Sequence, residues 1–141
     1  MLLCDDDREA TSTLSLELRR FGHWVTTTRS CAEAFAAACA EDFDALLFAP
    51  FVRDGSALVL PAALGIRRPP LVVLVCLMTE RLAQGVAAHF GVDAQATKVA
   101  SVRRLDRLVR TSMAHSVAAS QRPAEPTDAS PPSGIGARFP Q

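Results

Sequence analysis

Five apolar residues in a row, Ala45–Ala49, stopped at once by Pro50, set the strongest limit on how this chain folds. So short a run, free of polar side chains, suits a strand covered on both faces, as in a parallel sheet. In an open α/β sheet, sites form beyond the carboxyl ends of the strands, where the strand order switches. The carboxyl end here is Ala49, which offers only a methyl. A site converging on this strand therefore lacks its central functional group.

The rest of the chain fits such a sheet. Leu2–Cys4 is a short apolar strand ended by Asp5-Asp6-Asp7. Arg8–Phe21 reads as a helix with Ala10, Leu14, Leu18 and Phe21 on one face. Gly22 suits the residue after its carboxyl cap. Trp24–Thr28, half polar and β-branched, suits an edge strand. Ser30 and Glu33 form a capping box for an alanine-rich helix over Cys31–Glu41, with Phe35 and Cys39 facing the core. A loop over Pro50–Gly55 precedes a short helix, Ser56–Leu64, weakened by Pro61. Leu71–Leu77 is the most apolar strand and belongs at the centre. Thr79–Phe90 is a helix ended by Gly91, and Ala94–Ala96 is a weak fifth strand. Ser101 caps a last helix that turns Val102, Leu105, Leu108, Val109 and Met113 inward. Strand and helix alternate five times, which gives a parallel sheet with helices on both faces.

At 141 residues the chain builds one domain with a buried core, and its 49% apolar content separates it from disordered sequences. From about Ser116 five prolines interrupt a Ser/Ala-rich stretch without periodicity. The division is a domain over 1–115 and a disordered tail over 116–141. Fifteen basic and 15 acidic residues cancel, so bulk charge points to neither nucleic acid nor membrane. Cys4, Cys31, Cys39 and Cys76 form no C-x-x-C pair and read as reduced thiols of a cytoplasmic protein. The amino terminus meets acid too soon for a signal peptide, and no apolar run spans a bilayer.

Three segments in order, Leu2–Asp7, Asp44–Ala49 and Gly91–Lys98, resemble the receiver domain of two-component response regulators over residues 2–113. The resemblance implies a flavodoxin-like α/β fold, a doubly wound five-stranded parallel sheet of order 2-1-3-4-5. It implies a pocket where an aspartate ending strand three accepts a phosphoryl group. An acidic pair there holds Mg²⁺, and a lysine and a strand-four hydroxyl neutralise the transferring charge. Asp5 and Asp6 match the acidic pair. Lys98, the only lysine, matches the lysine of that pocket. Ala49 falls at the acceptor, Val75 at the hydroxyl and Gln95 at the aromatic switch. Val99 replaces a proline, so the bond after Lys98 is expected trans; cis would cost about 2.5–4 kcal/mol. Asp5, Asp6, Ala49, Val75, Gln95 and Lys98 thus read as a vestigial phosphorylation pocket, with Lys98 pairing Asp5 or Asp6. Asp5 and Asp6 alone make a weak Mg²⁺ site, and no other cofactor is implied.

The function this implies is a stand-alone atypical receiver, not an enzyme, working in signal transduction through protein–protein contact. Its partner would be a regulatory protein, a kinase or a transcription regulator. The docking face is the fourth helix, fifth strand and fifth helix, lined by Arg81, Gln84, Arg103, Arg107 and Arg110, and a homodimer through the last helix is a further expectation. A conventional receiver with a displaced acceptor, Asp54 before Asp44, is the second reading; turn chemistry explains Asp54-Gly55 better. A small Mg²⁺-dependent phosphatase of the haloacid-dehalogenase type is the third, with Asp5 as nucleophile, Asp7 as acid/base and Asp93 as the late acid. His23, His89 and His115 lack metal spacing and read as surface residues. Phe35, Phe48 and Trp24 read as core, and Phe139 is the one anchor a partner would read in the tail.

Overall fold

The computed structural model describes residues 1–76, 80–97 and 102–121. Five parallel strands form the sheet: β1 (Leu2–Cys4), β2 (Thr26–Thr28), β3 (Ala45–Phe48), β6 (Leu71–Cys76) and β7 (Ala94–Thr97), with spatial order β2-β1-β3-β6-β7. This is the expected 2-1-3-4-5 order of a flavodoxin-like sheet. The numbering differs because two further strands, β4 (Phe51–Val52) and β5 (Gly55–Ser56), form a separate antiparallel hairpin. That hairpin occupies most of the stretch expected to be a loop. Its strands are two residues each, too short for any periodic signal.

The helices divide between the two faces. α2 (Cys31–Ala40), α3 (Leu60–Leu64) and α4 (Glu80–Phe90) cover one core, with Leu2, Leu46, Phe48, Val72 and Leu74 beneath them. α1 (Arg8–Arg20) and α5 (Val102–Ser120) cover the other, over Leu3, Leu47, Val73 and Val75. Every residue of β1, β3 and β6 is buried, as strands covered on both sides require.

Local signals explain the ends. The Gly22 N–H donates to the Arg19 carbonyl and the His23 N–H to the Leu18 carbonyl, a Schellman closure that needs the positive φ of 88° at Gly22. Ser30 accepts from the Glu33 N–H at 3.1 Å, as expected of an N-cap. Glu33 reaches back one residue further than a capping box does, to the Arg29 N–H. Pro61 sits in the first turn of α3, where its missing N–H costs little, and a 3-10 turn over Ala57–Val59 replaces the start of the expected helix.

Four expectations are corrected. Trp24 precedes β2 and is 92% exposed, not core. In α2 the alanines Ala34 and Ala38 face the sheet, which leaves Phe35 and Cys39 exposed. Small inward side chains let the helix lie close, so the bulky one is turned out. Met113 is exposed as well. α5 continues to Ser120, past the boundary placed at residue 116. Leu77, Thr79, Lys98, Val99, Ser101 and residues 122–141 lie outside the described residues, so the cap of α5, the bond after Lys98 and the expected tail do too.

Candidate functional site

The carboxyl ends of β1, β2 and β3 meet at one edge. Cys4 is paired with both Thr28 and Phe48, so the residues that follow, Asp5, Arg29 and Ala49, emerge together. The Ala49 N–H donates to the Cys4 carbonyl at 2.9 Å, which fixes the methyl beside the start of the acidic loop. Ala49 is buried.

The three aspartates have different duties. Asp5 is buried, and its carboxylate accepts the Asp7 N–H at 3.0 Å. Asp7 is the N-cap of α1 and accepts the Ala10 N–H. Asp6 is exposed, and its main-chain carbonyl accepts from the Arg29 guanidinium at 3.3 Å. Nothing in the sequence marks Arg29 until β2 is known to lie beside β1. Nor does it mark Thr11, whose hydroxyl donates to the Asp5 carbonyl and ties the loop to α1.

The structure brings Asp5 and Val75 together on one small cleft, with Leu3, Ala10, Thr11 and Leu14. Gln95 is half-buried on β7, in register with Leu74 of β6. Lys98 is outside the described residues. Asp5 and Asp6 are the acidic pair after β1, and among the described residues no cluster of three His, Cys, Asp or Glu side chains forms. The methyl of Ala49 adds no side-chain oxygen to that pair.

Two aspartates weighed for chemistry are structural. Asp54, in the β4–β5 turn, accepts the Cys31 N–H at 2.7 Å and the Ala32 N–H at 3.0 Å, one with each carboxylate oxygen. These bonds to the amino end of α2 hold its carboxyl below the usual range. Asp93 accepts the Val72 N–H at 2.8 Å and the Arg68 guanidinium at 3.0 Å. Val72 lies near the amino end of β6, so Asp93 is at the opposite edge of the sheet from Asp5 and cannot serve a phosphatase centre there.

Burial pushes the Cys4 thiol up to about 11, a rise that a bond from Thr28 partly offsets and the nearby acidic groups reinforce. Burial and the Asp54 charge raise Cys31 as well. Both therefore stay protonated near neutral pH.

On the far side, Arg81 and Gln84 are exposed on α4, and Arg103, Arg104 and Arg107 on α5. The two helices flank the edge strand β7 from opposite faces. Arg110 is exposed but engaged: it donates to Asp106 at 2.8 Å and to the Phe21 carbonyl at 2.9 Å. His23, expected at the surface, is largely buried and lies 2.7 Å from the same Asp106 oxygen.

No model of a known protein family matches this sequence, and no curated protein does. Solved structures do match. A two-component response regulator from Clostridium difficile superposes with a TM-score of 0.72 at 18% identity, over 82% of this chain and 95% of that one. A CheY-like response regulator receiver domain protein from Methanospirillum hungatei gives 0.73 at 20% identity, over 84% and 95%. The fold is that of a receiver domain. A third match, described as one of a family of redox sensors in the streptococci evolved from two-component response regulators, gives 0.70 at 16% identity, over 88% of this chain and 56% of that one. Asp5 and Ala49 follow the carboxyl ends of β1 and β3, and β7 is the sheet edge opposite β2. Among the described residues no helix is long and apolar enough to cross a membrane.

Proposed function

We propose that this chain is an atypical receiver of two-component-type signalling that acts in the cytoplasm by protein–protein contact, takes no phosphoryl group at the end of β3 and catalyses no reaction of its own. The observation that carries this reading is Ala49. Its methyl is buried where β3 ends, beside the residue that precedes Asp5. A methyl has no lone pair to attack phosphorus. Val75, on the same cleft as Asp5, offers no hydroxyl to a phosphoryl oxygen. Arg29 adds a guanidinium at the rim, beside the loop where a divalent cation would otherwise sit. Asp54 does not replace the missing acceptor, because both its oxygens are bound to α2.

The partner is a regulatory protein, a kinase or a transcription regulator, with an acidic docking surface. Arg81, Gln84, Arg103 and Arg107 present the complementary face. Asp5, Asp6, Ala49, Val75, Gln95 and Lys98 are then a retired pocket whose remaining charges serve the fold. A homodimer through α5 would oppose arginine to arginine, so that helix serves a different protein better than a second copy.

The test is incubation of the purified chain with a small phosphodonor and Mg²⁺, followed by intact-mass measurement. The expected mass is unchanged. A stable phosphoryl adduct on any aspartate of residues 1–97 overturns the reading. Charge reversal at Arg103 and Arg107 should abolish capture of the partner from the native host while the far-ultraviolet spectrum is retained.

A further inference from the structure

The outer surfaces of α2 and α3 carry almost no charge. Both helices cover the same face of the sheet and lie against each other. Their inner sides are Ala34 and Ala38, and Leu60, Pro61 and Leu64. Their outer sides are nearly as apolar. On α2, Phe35 is 44% exposed, and Ala32, Ala36, Cys39 and Ala40 are exposed around it. Along the α3 segment Val59 is 57% exposed and Ile66 fully so, with Ala62 and Ala63 between them. Residues 55–66 contain no charged side chain, and α2 contains only Glu33, already bound to the Arg29 N–H. The adjoining hairpin adds Phe51, 65% exposed. The outer faces of α1 and α5 are the opposite case, studded with Glu9, Arg19, Arg20, Arg103, Arg104 and Arg107.

Single exposed apolar side chains are ordinary. Two adjacent helices with uncharged outer faces are not, because contiguous apolar surface beyond a few hundred Å² marks an interaction site. We infer that the α2–α3 face is a homodimer interface, covered by the same face of a second copy about a two-fold axis. A two-fold contact sets one patch against itself, so any excess of one charge would repel its own image. An uncharged patch pays no such penalty. The alanines at 32, 36, 40, 62 and 63 allow close helix approach, and Phe35, Val59 and Ile66 supply the bulk that fills the gaps. The rim carries both signs, with Asp42 and Arg67 paired at 3.2 Å in one subunit and Arg53 and Glu33 nearby in the chain. Mixed signs at the rim let ion pairs form across the axis in either direction. A stable interface takes about 800 Å² from each partner, roughly 20–30 residues. Residues 31–40 and 51–67, in the hairpin, α2, α3 and the turns flanking α3, supply the exposed positions of this face.

The test is sedimentation velocity of the full chain from low to high micromolar concentration. The wild type should pass from the mass of one chain to that of two. The pair Ala36→Glu with Ala63→Glu, both at exposed positions, should hold the mass of one chain throughout, with an unchanged far-ultraviolet spectrum. Should that pair fail to fold, Ile66→Lys at the fully exposed position makes the same test. Arg103→Glu with Arg107→Glu should leave the dimer intact. A wild type that stays at one chain overturns the inference. So does a dimer that survives the α2–α3 variants, and so does one that is lost only in the arginine variant.

Discussion

One oxygen of Asp106 serves two partners. Its Oδ1 lies 2.7 Å from His23 Nε2 and 2.8 Å from Arg110 Nε, joining α5 to the turn after α1. Partial burial pushes this carboxyl up, but the bonds from His23 and Arg110 outweigh that, and the net effect is below the ordinary range. The folded state thus prefers the charged form. That preference stabilises the fold above the unfolded value of about 3.9 and is lost as pH falls through the lower folded value. Asp106→Asn should lower the midpoint of urea unfolding at neutral pH, and its curve should converge with wild type in the acid range. The pair was invisible in the sequence, because 83 positions separate its members. Trp24 failed for another reason. Size and hydrophobicity argue for burial, yet the residue falls before β2 at the sheet edge, where no helix covers it.

Among elements, the regular signals were the legible ones. Gly22 and Gly91 end their helices with positive φ, and Ser30 begins one, because backbone geometry leaves few alternatives at those points. The hairpin was legible only as Asp54-Gly55 turn chemistry. Its second function, fastening the amino end of α2, needs the fold to bring residues 31 and 54 together. Asp54→Ala should therefore speed hydrogen exchange at the Cys31 and Ala32 amides several-fold while the amides of β3 and β6 stay protected. The inward face of α5 was read from spacing alone, and Leu105 and Val109 are both buried there. Leu105→Ala should cost about 2–5 kcal/mol in chemical denaturation, since the cavity opens against the sheet. Met113 broke the same pattern: its spacing is right, but the sheet ends before the helix does.

At the scale of the molecule, the architecture followed from alternation and from two runs, Ala45–Ala49 and Leu71–Cys76, that only a doubly covered sheet tolerates. The candidate site was half legible. Asp5, Ala49 and Val75 do meet at one edge, as their places after β1, β3 and near the end of β6 require. Arg29 and Thr11 were not foreseen, since their parts are played through main-chain carbonyls that any residue supplies. α5 has a consequence of its own. Its last two or three turns run on past Val109 for about 16 Å, held by the Arg110 bond to the Phe21 carbonyl and lining a shallow cleft with Asp44 and Pro70. Whatever is joined beyond Gln121 leaves from the tip of a stiff spar whose root is clamped by Leu105 and Val109. A small tilt at that root swings the tip widely, so motion in the sheet would be felt farthest away.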